Sequence, residues 1–266
     1  PVPSQLGNLT SLTYLGLHGN LFTSSIPSEI GFLTGLVQLL LGDNGLTGSL
    51  PPEVGQLTGL VFLALYSNSF SGPVPSQLGN LTSLTYLGLQ GNLFTSSIPS
   101  SLCSLTAVTE LHLNTNQFNG SLPSCIGALP LVILWAPLCG LEGTLPTSLG
   151  SMTTLTKLSL AGNKLSGPLP SELGALVLLH TINMGDNKLT GSLPSSFGCL
   201  SSLVELSMGS NKFNGHLPTS LGALMQLMVL ALTSNSLSGS LPAEIGKMSG
   251  LTYLDLVSNQ FTGTSM

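Results

Sequence analysis

The sequence predicts an α/β solenoid: a right-handed superhelix of about eleven 24-residue coils, with a parallel sheet on its concave side and short helical turns on its convex side. Three observations predict it. One proline recurs at Pro3, Pro27, Pro51, Pro75, Pro99, Pro123, Pro146, Pro170, Pro194, Pro218 and Pro242, at a constant interval except that Pro146 falls one position early. A second ladder runs in step, through Asn20, Asn44, Asn68, Asn92, Asn116, Cys139, Asn163, Asn187, Asn211, Asn235 and Asn259. Leucine columns lie between them, as in Leu81, Leu84, Leu87 and Leu89 before Asn92. Self-similarity at such a period marks a repeat that cannot bury its apolar face alone and must stack on its neighbours.

Each coil divides into four parts. The L-x-L pair has period 2, so it forms a short strand with both leucines inward and the flanking residues outward. The ladder Asn follows where the chain turns, and its amide can bond backbone groups of neighbouring coils that would otherwise be buried unpaired. Cys139 stands there as a small, weakly polar substitute. The Gly-x-Leu-Pro stretch is a second extended segment, ended by a proline that cannot donate to a ladder. The P-x-x-L-G-x-L stretch closes the coil as a helical turn on the outer side.

The pattern resembles the plant-type leucine-rich repeat, whose L-x-G-x-I-P signature reads Leu46-Thr-Gly-Ser-Leu-Pro51 and Leu165-Ser-Gly-Pro-Leu-Pro170 here. That family includes the ectodomains of receptor-like kinases and receptor-like proteins, and secreted polygalacturonase inhibitors. The resemblance implies extracellular or cell-surface recognition of a peptide, protein or glycan. Two departures from the pattern stand out: Ser24 and Ser96 replace the usual Gly, and the sixth repeat is one residue short. The deletion falls between Leu129 and Leu131, and Pro130 and Pro137 bracket the strand that follows. A local irregularity of the sheet is therefore expected over residues 130–138, with Trp135 still facing the concavity.

Residues 1–28 and 73–100 are identical except for His18 against Gln90, which reads as a recent three-repeat duplication. Residues 1–266 are expected to form a single solenoid. Because neither end carries a polar cap over its leucine layer, the expectation is a piece of a longer array.

Composition removes several function classes. Only 6% of residues are charged, with five Lys, no Arg and ten acids. Nucleic-acid binding relies on clustered Lys and Arg, so it is not expected. The longest stretch without charge or hydroxyl runs only from Ile126 to Leu141 and holds two prolines. A spanning helix needs about 20 residues, so no membrane span is expected within this segment. There is no G-x-G loop, G-x-S-x-G elbow or H-E-x-x-H motif. The four His lie in different repeats, so no metal site, cofactor or enzymatic activity is expected.

The cysteines leave alternatives open. Cys103 and Cys125, almost one coil apart in the chain, lie on adjacent outer turns. A bridge needs Cα atoms within about 7 Å, and the expectation is unbridged thiols. Three N-x-[ST] sequons, Asn8, Asn80 and Asn119, fall on outer or flanking positions where a glycan fits. Sixteen Asn yield about four sequons by chance, so they permit secretion without marking it. Lys164, Lys188 and Lys212 follow the ladder Asn in consecutive repeats, and the expectation is a solvated turn rather than an anion site.

Two surfaces remain as candidates. The flank carries paired hydroxyls, such as Thr23/Ser25, Thr47/Ser49 and Thr95/Ser97, in rows like those of ice-binding solenoids. Pro73, Pro168, Glu142 and His216 interrupt them. The outward strand positions hold all four tyrosines, Phe62 and the only Trp, and outward aromatics on a rigid sheet are typical of binding hot spots. In repeats three to six the face offers Phe62, Tyr66, Tyr86, Glu110, His112 and Trp135 as ligand-binding residues, with Ala64 and Gly88 expected to leave shallow pockets between rings. The expected function is a non-catalytic recognition module binding a peptide or protein, or a glycan, on this face. The alternative is a secreted ice-binding or wall-associated structural protein using the flank.

Overall fold

The computed structural model describes residues 1–263 and divides into two compact units, Pro1–Gly140 and Leu141–Met266. In the first unit the inner sheet is parallel and contains Tyr14–Gly16, Gln38–Leu40, Phe62–Ala64, Tyr86–Gly88, Glu110–His112 and Ile133–Trp135, each pairing with the next. Register is strict: Leu15, Leu39, Leu63, Leu87, Leu111 and Leu134 align. The second unit repeats the arrangement in Lys157–Ser159, Thr181–Asn183, Glu205–Ser207, Val229–Ala231 and Tyr253–Asp255. The right-handed leucine-rich-repeat solenoid is thus the observed fold.

The leucine columns are the core. Leu39, Leu63, Leu84, Leu87 and Leu89 are fully enclosed, and burying each such side chain contributes about 1.5–3 kcal/mol. A phenylalanine spine, Phe70, Phe94 and Phe118, adds stacked rings 6.2 and 6.4 Å apart. The second extended segment forms flank strands: Thr23–Ser24, Gly45–Gly48, Ser69–Pro73 and Leu93–Thr95 in the first unit. In the second unit six such strands run from Glu142–Thr144 to Gln260–Phe261.

The Asn ladder bonds as its position dictates. Asn92 Oδ1 accepts from the Phe70 N–H at 3.0 Å, and its Nδ2 donates to the Leu65 and Leu89 carbonyls at 3.0 Å each. One side chain thereby satisfies groups of two coils at a turn no strand ladder reaches. Cys139 offers only its thiol, which donates to the Leu113 carbonyl at 3.1 Å, so it brings no amide oxygen to the Phe118 N–H.

Each outer turn is a five-residue 3-10 helix starting directly after the ladder proline, as in Ser28–Phe32 and Ser76–Asn80. Its fourth residue is Gly because the next turn packs against it. A Cβ on Gly31 would stand 2.8 Å from the Glu53 carbonyl oxygen, closer than real contacts allow. Cys103 occupies this column in the Ser100–Ser104 turn and forms a disulfide with Cys125, Cα to Cα 5.8 Å. The expectation of unbridged thiols was therefore wrong. The glycine column points each Cβ position at the second residue of the next turn, so a cysteine at both points meets its partner.

Toward the preceding coil, the inner sheet does not show the expected irregularity. Val132 and Ile133 donate to the Thr109 carbonyl at 2.8 and 3.0 Å, and Leu113 and Thr115 donate to the Trp135 and Pro137 carbonyls at 2.8 and 3.0 Å. The ladder to the preceding coil is unbroken because Pro137 enters it as an acceptor. The missing residue is absorbed earlier, at Leu129, whose ψ is 141° where the residues ending the other outer turns have 52–73°. Pro130 is the cause, since a residue preceding proline is driven into extended backbone.

Candidate ligand-binding face

The outward positions of the first unit's inner strands form the candidate site. Strand alternation buries Leu63, Leu87, Leu111 and Leu134 and leaves Phe62, Tyr86, Glu110, His112, Ile133 and Trp135 half-buried on the opposite face. Phe62 and Tyr86 align in register and stack nearly parallel, ring centroids 4.1 Å apart and 5° between planes. The Tyr86 ring then meets His112 at 5.3 Å and 34°. His112 Nε2 lies 3.2 Å from Glu110 Oε2 along the same strand. Phe62, Tyr86, Glu110 and His112 are thus one contiguous cluster across three strands.

Tyr66 and Trp135 share the face beside that cluster. Tyr66 folds back over Gly42 on a neighbouring coil, its Cε2 2.6 Å from where a Cβ on that glycine would lie. Trp135 is half-buried beside His112 in register.

Two features depart from expectation. Pockets beside the small residues do not form. The Tyr86 ring lies over Gly88, its hydroxyl 2.8 Å from the place a Cβ would occupy, and Ala64 is buried. Small residues on this sheet are seats for rings rather than gaps between them. Gln90 also belongs to the site, its side chain lying against Tyr86 over Gly88. The sequence did carry a signal for it: position 90 is the single difference between the duplicated segments. Burial raises the Tyr86 hydroxyl above the usual tyrosine range. The Gln90 amide pulls the other way, and the Glu110 carboxylate adds to the rise.

Elsewhere the sequence candidates are simple surface groups. Asn8, Asn80 and Asn119 are exposed. Lys164, Lys188 and Lys212 are exposed at the starts of flank strands. Among the described residues no group of three His, Cys, Asp or Glu side chains is placed to hold a metal ion, and no helix is long and apolar enough to cross a membrane.

Comparison with known proteins agrees with the geometry. A leucine-rich repeat region model matches residues 3–129, and a leucine-rich repeat model matches 154–176, 178–200 and 202–224. The Arabidopsis receptor kinase HAESA, solved with the peptide hormone IDA and the co-receptor SERK1, is 36% identical over 99% of this chain, with a TM-score of 0.92. This chain spans 45% of that one, a little under half its length. A leucine-rich-repeat protein of Leptospira interrogans is 31% identical, covering 98% of this chain and 70% of its own, with a TM-score of 0.68. A plant ice-binding protein is 25% identical, covering 95% of this chain and 84% of its own, with a TM-score of 0.73. No curated protein sequence matches. With its repeat ladder, its sheet and these likenesses agreeing, the chain belongs to the leucine-rich-repeat family, in its plant type.

Proposed function

We propose that this chain is a non-catalytic recognition module that binds a peptide or protein on the strand face of its first unit, in an extracellular or cell-surface protein. The Phe62–Tyr86–His112 stack carries the reading. A rigid sheet holds these rings in place before any ligand arrives, so binding them costs little conformational entropy. The likeness to a receptor kinase solved with a peptide hormone supports the ligand class. The Cys103–Cys125 bridge supports the compartment, because structural disulfides persist where the surroundings are oxidising. A glycan ligand would use the same rings. The test is binding and melting on the same variants. Tyr86→Ala and Trp135→Ala should each weaken ligand binding by about 1–4 kcal/mol, the range for aromatic hot spots. Normal binding by both would move the site elsewhere.

A second reading has its own observation. The flank carries the rows of small hydroxyls, and a plant ice-binding protein of similar extent shares the repeat. Thermal hysteresis or inhibition of ice recrystallisation by the purified chain would favour that reading.

A further inference from the structure

The two units differ in charge more than in fold. Residues 1–140 contain four acids, Glu29, Asp43, Glu53 and Glu110, and no Lys or Arg. All five lysines lie in residues 141–266, among six acids. Glu29 and Glu53 sit on outer turns. Glu110 alone stands inside the aromatic cluster.

We infer that the strand face of the first unit captures a basic side chain, arginine or lysine, of an extended peptide, with Glu110 as its counter-charge. This rests on the peptide-binding reading and specifies it. Glu110 is 41% exposed at its side chain, and its Oε2 is held by His112 Nε2. In register it lies between Tyr86 and Ile133. Those apolar walls displace water from both sides of the carboxylate, which strengthens its attraction for a cation. They also receive the methylene stem of a lysine or arginine, which packs on apolar surface while its head stays polar. Trp135, diagonally placed, offers an aromatic surface to a guanidinium. An anionic group on this face would meet Glu110 with no Lys or Arg in the unit to offset it.

The test pans a random linear dodecapeptide phage library on the whole chain. The enriched peptides are then synthesised, together with versions in which citrulline replaces each arginine and norleucine each lysine. Affinities are measured on the wild type and on Glu110→Gln, with melting curves confirming that the variant folds. A basic residue should recur in the enriched peptides. Neutralising it should cost about tenfold or more on the wild type and about twofold or less on Glu110→Gln, the coupling expected of a close charge pair. Enrichment without a basic residue, or an equal loss on both proteins, overturns the inference and leaves peptide binding standing. No enrichment over an unrelated protein overturns both.

Discussion

The Tyr86 ring lies face to face with Phe62 on the neighbouring strand, 4.1 Å between centroids, although a full repeat separates them in the chain. Such pairs are worth about 0.5–1.5 kcal/mol beyond the area they bury. A double-mutant cycle with Phe62→Ala and Tyr86→Ala, read by chemical denaturation, should return a coupling in that range. Neither ring belongs to the leucine core, so both single variants should still unfold cooperatively. A coupling near zero would mean that the stack contributes no stability of its own.

The disulfide gives a sharper stability effect. Closing a loop the size of the one between Cys103 and Cys125 stabilises by about 2–4 kcal/mol. Cys103→Ser/Cys125→Ser should lose that much, because serine keeps the Cβ that cysteine already places between these turns and removes only the bond. Cys103→Gly/Cys125→Ser restores the glycine column and should lose less. Non-reducing peptide mapping should find these two cysteines linked in the native protein.

The two remaining cysteines should separate by reactivity. Cys199 is exposed, while Cys139 is enclosed and burial pushes its thiol up to about 12. A maleimide at pH 8 should label Cys199 quickly and Cys139 only on unfolding, since the thiolate is the reacting species. In the unfolded chain the Cys139 thiol titrates near 9. As pH rises above that value, the unfolded state sheds a proton that the native state keeps. Stability should therefore fall between about 9 and 12, and Cys139→Ala should flatten that slope.

Asn92→Ala tests the turn ladder. It removes the acceptor for the buried Phe70 N–H, while the Leu65 and Leu89 carbonyls keep their bonds from Asn68 and Asn116. The expected cost is about 1–3 kcal/mol, measured by urea denaturation at unchanged m-value.

Ser96→Gly tests stored backbone strain. Ser24 and Ser96 take φ of 69° and 65° in the column where Gly48 and Gly72 take 76°. An L-residue pays about 1–2 kcal/mol for that conformation, against part of which glycine's greater freedom when unfolded must be set. A net gain of about 0.5–1 kcal/mol is expected, seen as a raised Tm.

The sequence by itself determined everything that recurs with the coil. The proline spacing places each outer turn, the L-x-L pair decides which strand residues face inward, and the ladder Asn marks where buried turn groups need an amide. These are local rules applied repeatedly, so a single chain displays them many times. Contacts between coils were decided by the tertiary structure. Residues 14–16 and 86–88 are both Tyr-Leu-Gly within duplicated segments, yet Tyr14 is 50% exposed while Tyr86 is stacked on Phe62. The reason is the geometry of stacking. In a parallel solenoid a side chain's nearest neighbours stand about 4.8 Å away on the adjacent coils, and a full repeat away along the chain. Identical tripeptides therefore acquire different surroundings. The Cys103–Cys125 bridge was hidden for the same reason, because it depends on how closely the next coil approaches.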